Sequence, residues 1–139
     1  MVLMIVTVLV GMVFMLPAAP AFAVTCSGSG CEGKNPQTTG CSADAVTAAS
    51  AAIPDGKVEL RWSQTCLTFW SRVTSWIGPT TIRTRVQRQT SPIQSYDDID
   101  YNATQAYNDK MMYIPFLGPR HRACGRVGAN TTYVCTIWY

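Results

Sequence analysis

Six cysteines and a single histidine are the residues of this 139-residue chain whose types most often form reactive or metal-binding sites. Thiolates and imidazoles can bind zinc or act as a Cys–His nucleophile, and cysteines can also form disulfides. Zinc sites usually contain closely paired ligands such as Cys-x-x-Cys or His-x-His, and neither motif occurs here. The sequence therefore favours three disulfides over a metal site. They involve Cys26, Cys31, Cys41, Cys66, Cys124 and Cys135.

One of these disulfides can be predicted from the local pattern. The stretch GRVGANTTYVC reads as two strands joined by a turn at Gly128-Ala129-Asn130. Such a hairpin brings Cys124 and Cys135 together, so we expect this pair to be bonded. Spacing does not decide how the other four cysteines pair, and three arrangements remain open.

The remaining candidates for catalysis are few. His121 lies among three arginines, whose charges disfavour its protonation, and the more common outcome for such a residue is a surface or loop histidine. No Gly-x-Ser-x-Gly motif is present, and the only glutamates, Glu32 and Glu59, give no sign of a paired carboxylate site. We therefore predict no catalytic residues, no cofactor and no enzymatic activity.

One acidic stretch is similar to a calcium-binding loop. DIDYNATQAYND places Asp98, Asp100, Asn102 and Asp109 at positions 1, 3, 5 and 12 of such a loop. However, Ala103 occupies the position of the usual turn-forming glycine, and Asp109 replaces the bidentate glutamate. A solvated acidic loop is the favoured interpretation, so we predict no metal site here.

The beginning of the chain indicates export. Its first sixteen residues, MVLMIVTVLVGMVFML, carry no charge, and they are followed by small residues that end in Ala21-Phe22-Ala23. This pattern predicts a signal peptide over residues 1–23 and a secreted, extracellular domain over residues 24–139, although no Lys or Arg precedes the apolar run. The alternative is an uncleaved membrane anchor, but the run is shorter than the roughly 20 residues that span a bilayer. The net charge of +3 is too small to suggest nucleic acid as a partner.

Alternating hydrophobicity predicts that most of the secreted part forms strands. In KVELRW, Val58, Leu60 and Trp62 define a buried face, with Lys57, Glu59 and Arg61 on a solvent face. The segments CLTFWSRVTSW, TTIRTRVQRQ, MMYIPFLG and TTYVCTIWY also have strand composition. DAVTAASAAI could form a short helix beginning near Asp44 or could be extended, whereas residues 91–110 read as a long loop. The predicted fold class is mostly β: a single small disulfide-stapled barrel or sandwich with at most one short helix.

Three arginines of the segment 80–89 are candidates for binding a partner. Arg83 and Arg85 alternate with apolar residues and so share one face, and Arg88 lies near the end of the segment. Their guanidinium groups could bind carboxylates or phosphates. The alternative explanation is that they protect an exposed strand edge against aggregation.

Two sequence motifs carry a family resemblance. The first, Cys-x4-Cys-x-Gly-Lys-x-Pro-x3-Gly-Cys-x2-Asp-Ala-x-Thr, runs from Cys26 to Thr47, and the second, Glu-Leu-Arg-Trp-Ser-x2-Cys-x3-Trp-x-Arg, from Glu59 to Arg72. Together they resemble the YjfA-like family, exported domains of unknown function from Streptomyces and other Gram-positive bacteria. The resemblance implies an extracellular module. It also suggests the adaptor subunits of secreted antibacterial toxin particles, and it implies no catalytic residues.

These observations favour a non-enzymatic secreted binding or adaptor module whose partners are secreted proteins, without nucleic acid and without membrane contact after cleavage. The alternative is a small secreted protease inhibitor or hydrolase. The inhibitor version would use the disulfide-pinned loop from Gly33 to Gly40, which a rigid framework could present to a protease.

Overall fold

The computed structural model describes residues 23–139. The predicted signal peptide therefore lies outside the described residues, except for Ala23. In the described part a short 3-10 helix, Gly28–Cys31, precedes the strands. These are β1 (Val46–Ile53), β2 (Gly56–Ser63), β3 (Thr68–Ser75), β4 (Thr80–Arg88), β5 (Gln94–Ala103), β6 (Gln105–Tyr107), β7 (Met112–Tyr113), β8 (His121–Val127) and β9 (Val134–Cys135). No helix within residues 23–139 is long and apolar enough to span a membrane.

The strands form two antiparallel sheets. The first sheet has the order β1-β2-β3-β6, with β7 also paired to β3, and the second has the order β5-β4-β8-β9. The sheets pack face to face, chiefly β3 against β4 and β8, and β2 against β8. The prediction of a small, mostly-β, disulfide-bonded domain is confirmed, and of the two architectures considered the structure is a sandwich.

The core lies between the sheets and follows the predicted alternation. Val58 and Leu60 of β2 and Ile82 and Val86 of β4 are fully buried, because alternate residues of a strand point to the same face. Gly125 of β8 lies at a close contact between the two sheets. A Cβ atom at this position would lie 2.3 Å from Val73 Cγ2, so only glycine fits without a shift.

The structure decides one open assignment and corrects another. DAVTAASAAI, which could have been helical or extended, is extended from Val46 as β1, because Ala48, Ala49 and Ala51 pack against the core and its backbone pairs with β2; tertiary contacts thus override the helical propensity of alanine. Residues 91–110 are not a long loop, since they contain β5 and β6. β5 is an edge strand with few buried residues, so it lacks the clear alternation that would have revealed it.

The expected solvent face of β2 is partly buried. Glu59 is only 4% exposed, and its carboxylate accepts bonds from Arg72 Nε at 2.7 Å and Arg72 Nη2 at 2.9 Å. Burial raises the pKa of Glu59, but the bonds and charge of Arg72 outweigh it, so the net pKa is lowered. The assignment of Glu59 to a solvent face was wrong, because its cross-strand partner Arg72 covers it.

The six cysteines form three disulfides, Cys26–Cys31, Cys41–Cys66 and Cys124–Cys135. The last pair is the one expected from the hairpin, and β8 and β9 place these two residues directly opposite each other. The other four sulfur atoms lie within 4.8 Å of one another at one end of the sandwich. Since each is bonded to another sulfur, they are not free to act as metal ligands while the disulfides are intact.

The close approach at Gly125 can be tested by adding one methyl group. We expect Gly125→Ala to lower the free energy of unfolding by about 1–3 kcal/mol, because the buried Val73 cannot move without disturbing the facing sheet. Gly30→Ala is the matched control, since a Cβ there meets no atom within 4 Å. Urea unfolding of both variants measures the effect. Equal stability of the two variants would contradict this account of the sheet packing.

Candidate binding groove and its supporting network

The three arginines proposed as partner contacts do not share one surface. β4 is paired with β5 on one side and β8 on the other, so the expectation of an exposed strand edge there was wrong. Arg83 and Arg85 lie on the outer face of the second sheet, as the alternation predicted. Arg88 belongs to the inner face, where its side chain is mostly buried at the end of the sandwich.

Arg88 is the centre of a polar network that joins several segments. Its Nη2 donates to Glu32 Oε2 at 2.7 Å and to the carbonyl oxygen of Tyr113 at 2.8 Å. Its Nη1 donates to Gln94 Oε1 at 2.9 Å, and its Nε donates to His121 Nε2 at 3.3 Å. All three guanidinium nitrogens are therefore occupied by acceptors within the domain, which leaves Arg88 poorly suited to bind an external anion.

Glu32 completes the network from the N-terminal segment. Its Oε1 accepts a bond from the Tyr96 hydroxyl at 3.0 Å, and its Oε2 accepts the Tyr113 N–H at 2.6 Å. Burial, together with the bond to Glu32, raises the pKa of Tyr96. Glu32 accepts the Tyr113 N–H and Arg88 donates to the Tyr113 carbonyl, so the backbone of Tyr113 is fixed at the point where the segment 114–120 leaves β7.

His121 is buried rather than exposed. Only 1% of its surface is accessible, its ring centroid lies 5.0 Å from that of Phe69, and its Nε2 lone pair accepts the bond from Arg88. Burial, and then the charge of Arg88, lower the pKa of His121 to about 4. The expectation of a surface histidine was wrong, and the cation that opposes its protonation is Arg88 rather than its neighbours in sequence. A lone pair occupied in this way is not available to a general base.

The segment after β7 ends in a tight turn that displays two apolar side chains. The Gly118 N–H donates to the Pro115 carbonyl at 2.8 Å, and Phe116 and Leu117 between them are each 94% exposed. Leu117 has a φ of 60°, in the left-handed region that non-glycine residues rarely adopt. The turn therefore combines exposure of two large hydrophobic residues with an unfavourable backbone conformation.

A second leucine in the left-handed region lies nearby. Leu67, with a φ of 55°, is partly exposed in the turn between β2 and β3, and its carbonyl accepts the Ile114 N–H at 2.9 Å. The Cys41–Cys66 disulfide fixes this turn from one side. Asp44 also fixes it: burial raises the pKa of its carboxyl group, but bonds from Ser63 Oγ and the Thr65 N–H outweigh this effect and lower the pKa.

The two leucines line the same groove, which has a volume of about 510 Å³. Its walls are mainly aromatic and aliphatic, with Trp62, Phe69 and Tyr139 opposite the 114–119 segment. Backbone strain of about 1–3 kcal/mol per residue persists only where other contacts enforce it, and such residues cluster at functional sites. The groove is a wide surface depression of a size typical of ligand and side-chain sites. It is therefore the candidate functional site.

The acidic residues of the possible calcium loop do not form a ligand set. Asp98 and Asp100 lie on strand β5, and Asp98 Oδ2 accepts the Asp109 N–H at 3.2 Å. Burial, with the charges of Asp98 and Asp109, raises the pKa of Asp100. Among residues 23–139, no three carboxylates converge closely enough to hold an ion. A calcium loop requires its ligands to curl around one centre, and an extended strand does not allow this.

Sequence reasoning missed the groove. MMYIPFLG was expected to be a strand, but only Met112–Tyr113 is one. Pro115 and the Gly118-Pro119 pair are turn signals that could have revealed an apolar turn. The left-handed conformations of Leu67 and Leu117 leave no signal in the sequence, because leucine has no preference for that region.

The fold and the groove define a small disulfide-bonded β-sandwich domain with an apolar depression at the end that carries the clustered disulfides. The chain belongs to the family described as Protein of unknown function (DUF2690), whose sequence model matches residues 29–125. This match includes the groove-forming turns at residues 67 and 117. Neither a curated protein nor a solved structure shows a significant match to the chain.

The burial of His121 predicts a specific dependence of stability on pH. The unfolded chain takes up a proton on this residue near pH 6.5, whereas the folded domain resists protonation until about pH 4. Acidification within this range therefore favours the unfolded state, by about 2 kcal/mol between pH 7 and pH 5. The difference in unfolding free energy between the native protein and His121→Gln should change by this amount in urea titrations. Parallel pH profiles for the two proteins would contradict the burial of a neutral imidazole.

Proposed function

We propose that this domain is a non-enzymatic binding module that works outside the cell and holds a partner protein in the apolar groove. The Phe116–Leu117 tip inserts into an apolar hollow of the partner, while an apolar side chain of the partner occupies the groove. Adaptor is the most specific functional class that this arrangement supports.

The main supporting observation is that Leu67 and Leu117, both in left-handed conformations, line one groove, and that Leu117 and its neighbour Phe116 are almost fully exposed. Exposure of Phe116 and Leu117 gives no hydrophobic stabilisation to the free domain, since these side chains remain in water. In a protein interface the same side chains would be desolvated, and aromatic residues in central pockets often dominate the binding energy. The free energy gained when these side chains are desolvated on binding explains why a strained turn would expose them.

The extracellular location is supported by the three disulfides, which persist in oxidising compartments. It is also supported by the uncharged apolar residues at the start of the sequence. The finer proposal is an adaptor subunit of a secreted antibacterial toxin particle from Streptomyces. That proposal depends on the resemblance of the two cysteine-containing motifs to the YjfA-like family.

The alternative functions find less support. An inhibitory loop must offer free backbone groups to a protease, yet in the Gly33–Gly40 loop the Lys34 carbonyl accepts the Met111 N–H and the Gly33 N–H donates to Met111. A hydrolase would need an available base, and the His121 lone pair accepts a bond from Arg88. No observation in residues 23–139 favours either the protease inhibitor or the hydrolase.

Secretion makes a direct prediction about the mature protein. We expect the protein isolated from culture medium to begin at Val24, because cleavage after Ala21-Phe22-Ala23 follows the small-x-small rule. We also expect no alkylation without prior reduction, because the six cysteines are paired. Intact mass spectrometry with and without alkylation measures both properties. A secreted form that keeps residues 1–23 would contradict the cleavage site.

The groove can be tested by removing its apolar tip. We expect Phe116→Ser combined with Leu117→Asn to weaken binding of the partner at least 30-fold, as for typical aromatic hot spots. Asparagine is chosen because it tolerates the left-handed conformation of residue 117. The partner is first captured from culture supernatant with the tagged native domain, and its affinity for each purified variant is then measured.

The matched control is Trp76→Ser with Ile77→Ser. These residues form another exposed apolar pair, 63% and 58% accessible, after the opposite end of β3. Both double variants should unfold within about 0.5 kcal/mol of the native protein, as is usual for surface substitutions. If the control variant loses the partner and the tip variant keeps it, the groove is not the interface.

A further inference from the structure

The outer face of the second sheet carries a concentration of arginines. Arg83 and Arg85 project from β4, and Arg122 and Arg126 project from the neighbouring β8. Among the residues directly paired with these positions on β5, only Asp97 is acidic. This face is therefore strongly positive, although the whole chain has a net charge of only +3.

One of these arginines shows how the face binds a carboxylate. Arg85 forms a two-point ion pair with Asp97, in which Nη2 lies 3.2 Å from Oδ2. Its guanidinium carbon also lies 4.2 Å from the centroid of the Tyr133 ring. The aromatic ring and the carboxylate contact the same guanidinium group. Each interaction favours the charged, planar form of the arginine.

Arg83 and Arg126 form a pair of facing cations that no carboxylate of residues 23–139 contacts. They stand directly opposite each other on adjacent strands, and like charges in this position destabilise a sheet. The Arg126 guanidinium lies 5.2 Å from the centroid of the same Tyr133 ring. Arg83 makes no hydrogen bond or ion pair with any of residues 23–139. Arg126 Nη1 donates to the carbonyl oxygens of Asn130 at 3.0 Å and Thr131 at 3.2 Å, which holds its guanidinium group in place, but no carboxylate among these residues neutralises its charge. A pair of facing cations beside an aromatic ring is a feature that an external anion would stabilise.

We propose that the Arg83–Arg126 pair binds a carboxylate of an acidic, extended segment of a partner protein. This surface lies on the broad face of the second sheet, so the inference goes beyond the groove and adds a second contact area to the module. The prediction that Arg83 and Arg85 bind a partner is thereby narrowed to Arg83, since Arg85 already has a carboxylate partner.

The geometry favours an acidic peptide over a phosphate-containing polymer. A carboxylate is the group that Arg85 binds within this same face. Residues that alternate along a strand are separated by about 7 Å, and this is also the spacing of same-side residues in an extended peptide. Acidic residues at alternate positions of a partner segment would therefore follow the strand direction from the Arg83–Arg126 pair toward Arg122.

The experiment measures binding of a fluorescent peptide of alternating Glu and Thr to the disulfide-bonded protein. We expect saturable binding that weakens as salt is added, because exposed charges are screened. Arg83→Gln should weaken binding about fivefold or more, which corresponds to an exposed charge contact. Lys34→Gln removes an exposed cation of the N-terminal loop and should leave the affinity unchanged.

Three outcomes would overturn the proposal. They are equal affinity of Arg83→Gln and the native protein, equal affinity for the peptide with Gln in place of Glu, and tighter binding of a short polyphosphate than of the peptide at equal charge. The Phe116→Ser/Leu117→Asn variant should bind the acidic peptide normally. Its behaviour separates a failure of this inference from a failure of the groove proposal.

Discussion

The end of the sandwich that carries the groove depends on one guanidinium group. Arg88 joins β4 to the N-terminal segment, β5, β7 and β8 through bonds to Glu32, Gln94, Tyr113 and His121. A mostly buried cation is tolerated here because a carboxylate and neutral acceptors surround it. Lysine could not replace it, since a single ammonium group cannot reach acceptors in these separate directions. The hydrogen bond from Arg88 to the Tyr113 carbonyl therefore helps to determine where the apolar segment 114–120 lies.

Much of the fold could be predicted because hydrophobic alternation survives wherever one face of a strand is buried. This holds for β2 and β4, whereas β3, which is buried on both faces, was indicated by its β-branched and aromatic composition. The hairpin turn correctly indicated the Cys124–Cys135 disulfide. β5 was missed because an edge strand with little burial carries no such pattern. β1 was ambiguous because alanine favours helices in isolation, and only the neighbouring strand decides otherwise.

The candidate site was harder to predict because its contacts join distant parts of the sequence. Alternation alone places Arg88 on the inner face, but nothing local shows that its partner, Glu32, lies 56 residues away. The same holds for His121, whose sequence neighbours are arginines but whose environment is set by Phe69 and Arg88. Whether a polar side chain can be buried depends on the hydrogen-bond partners that surround it. These partners come together only when the chain has folded.

The proximity of two disulfides at this end of the domain has a consequence for cysteine mutagenesis. Cys26 Sγ lies 3.8 Å from Cys41 Sγ, although each is bonded to a different cysteine. If Cys31 alone were replaced, the liberated thiolate of Cys26 would stand beside the Cys41–Cys66 bond, where thiol–disulfide exchange could occur. The resulting protein would be a mixture of isomers rather than a domain that lacks one cross-link. Informative variants must therefore remove both cysteines of a bonded pair.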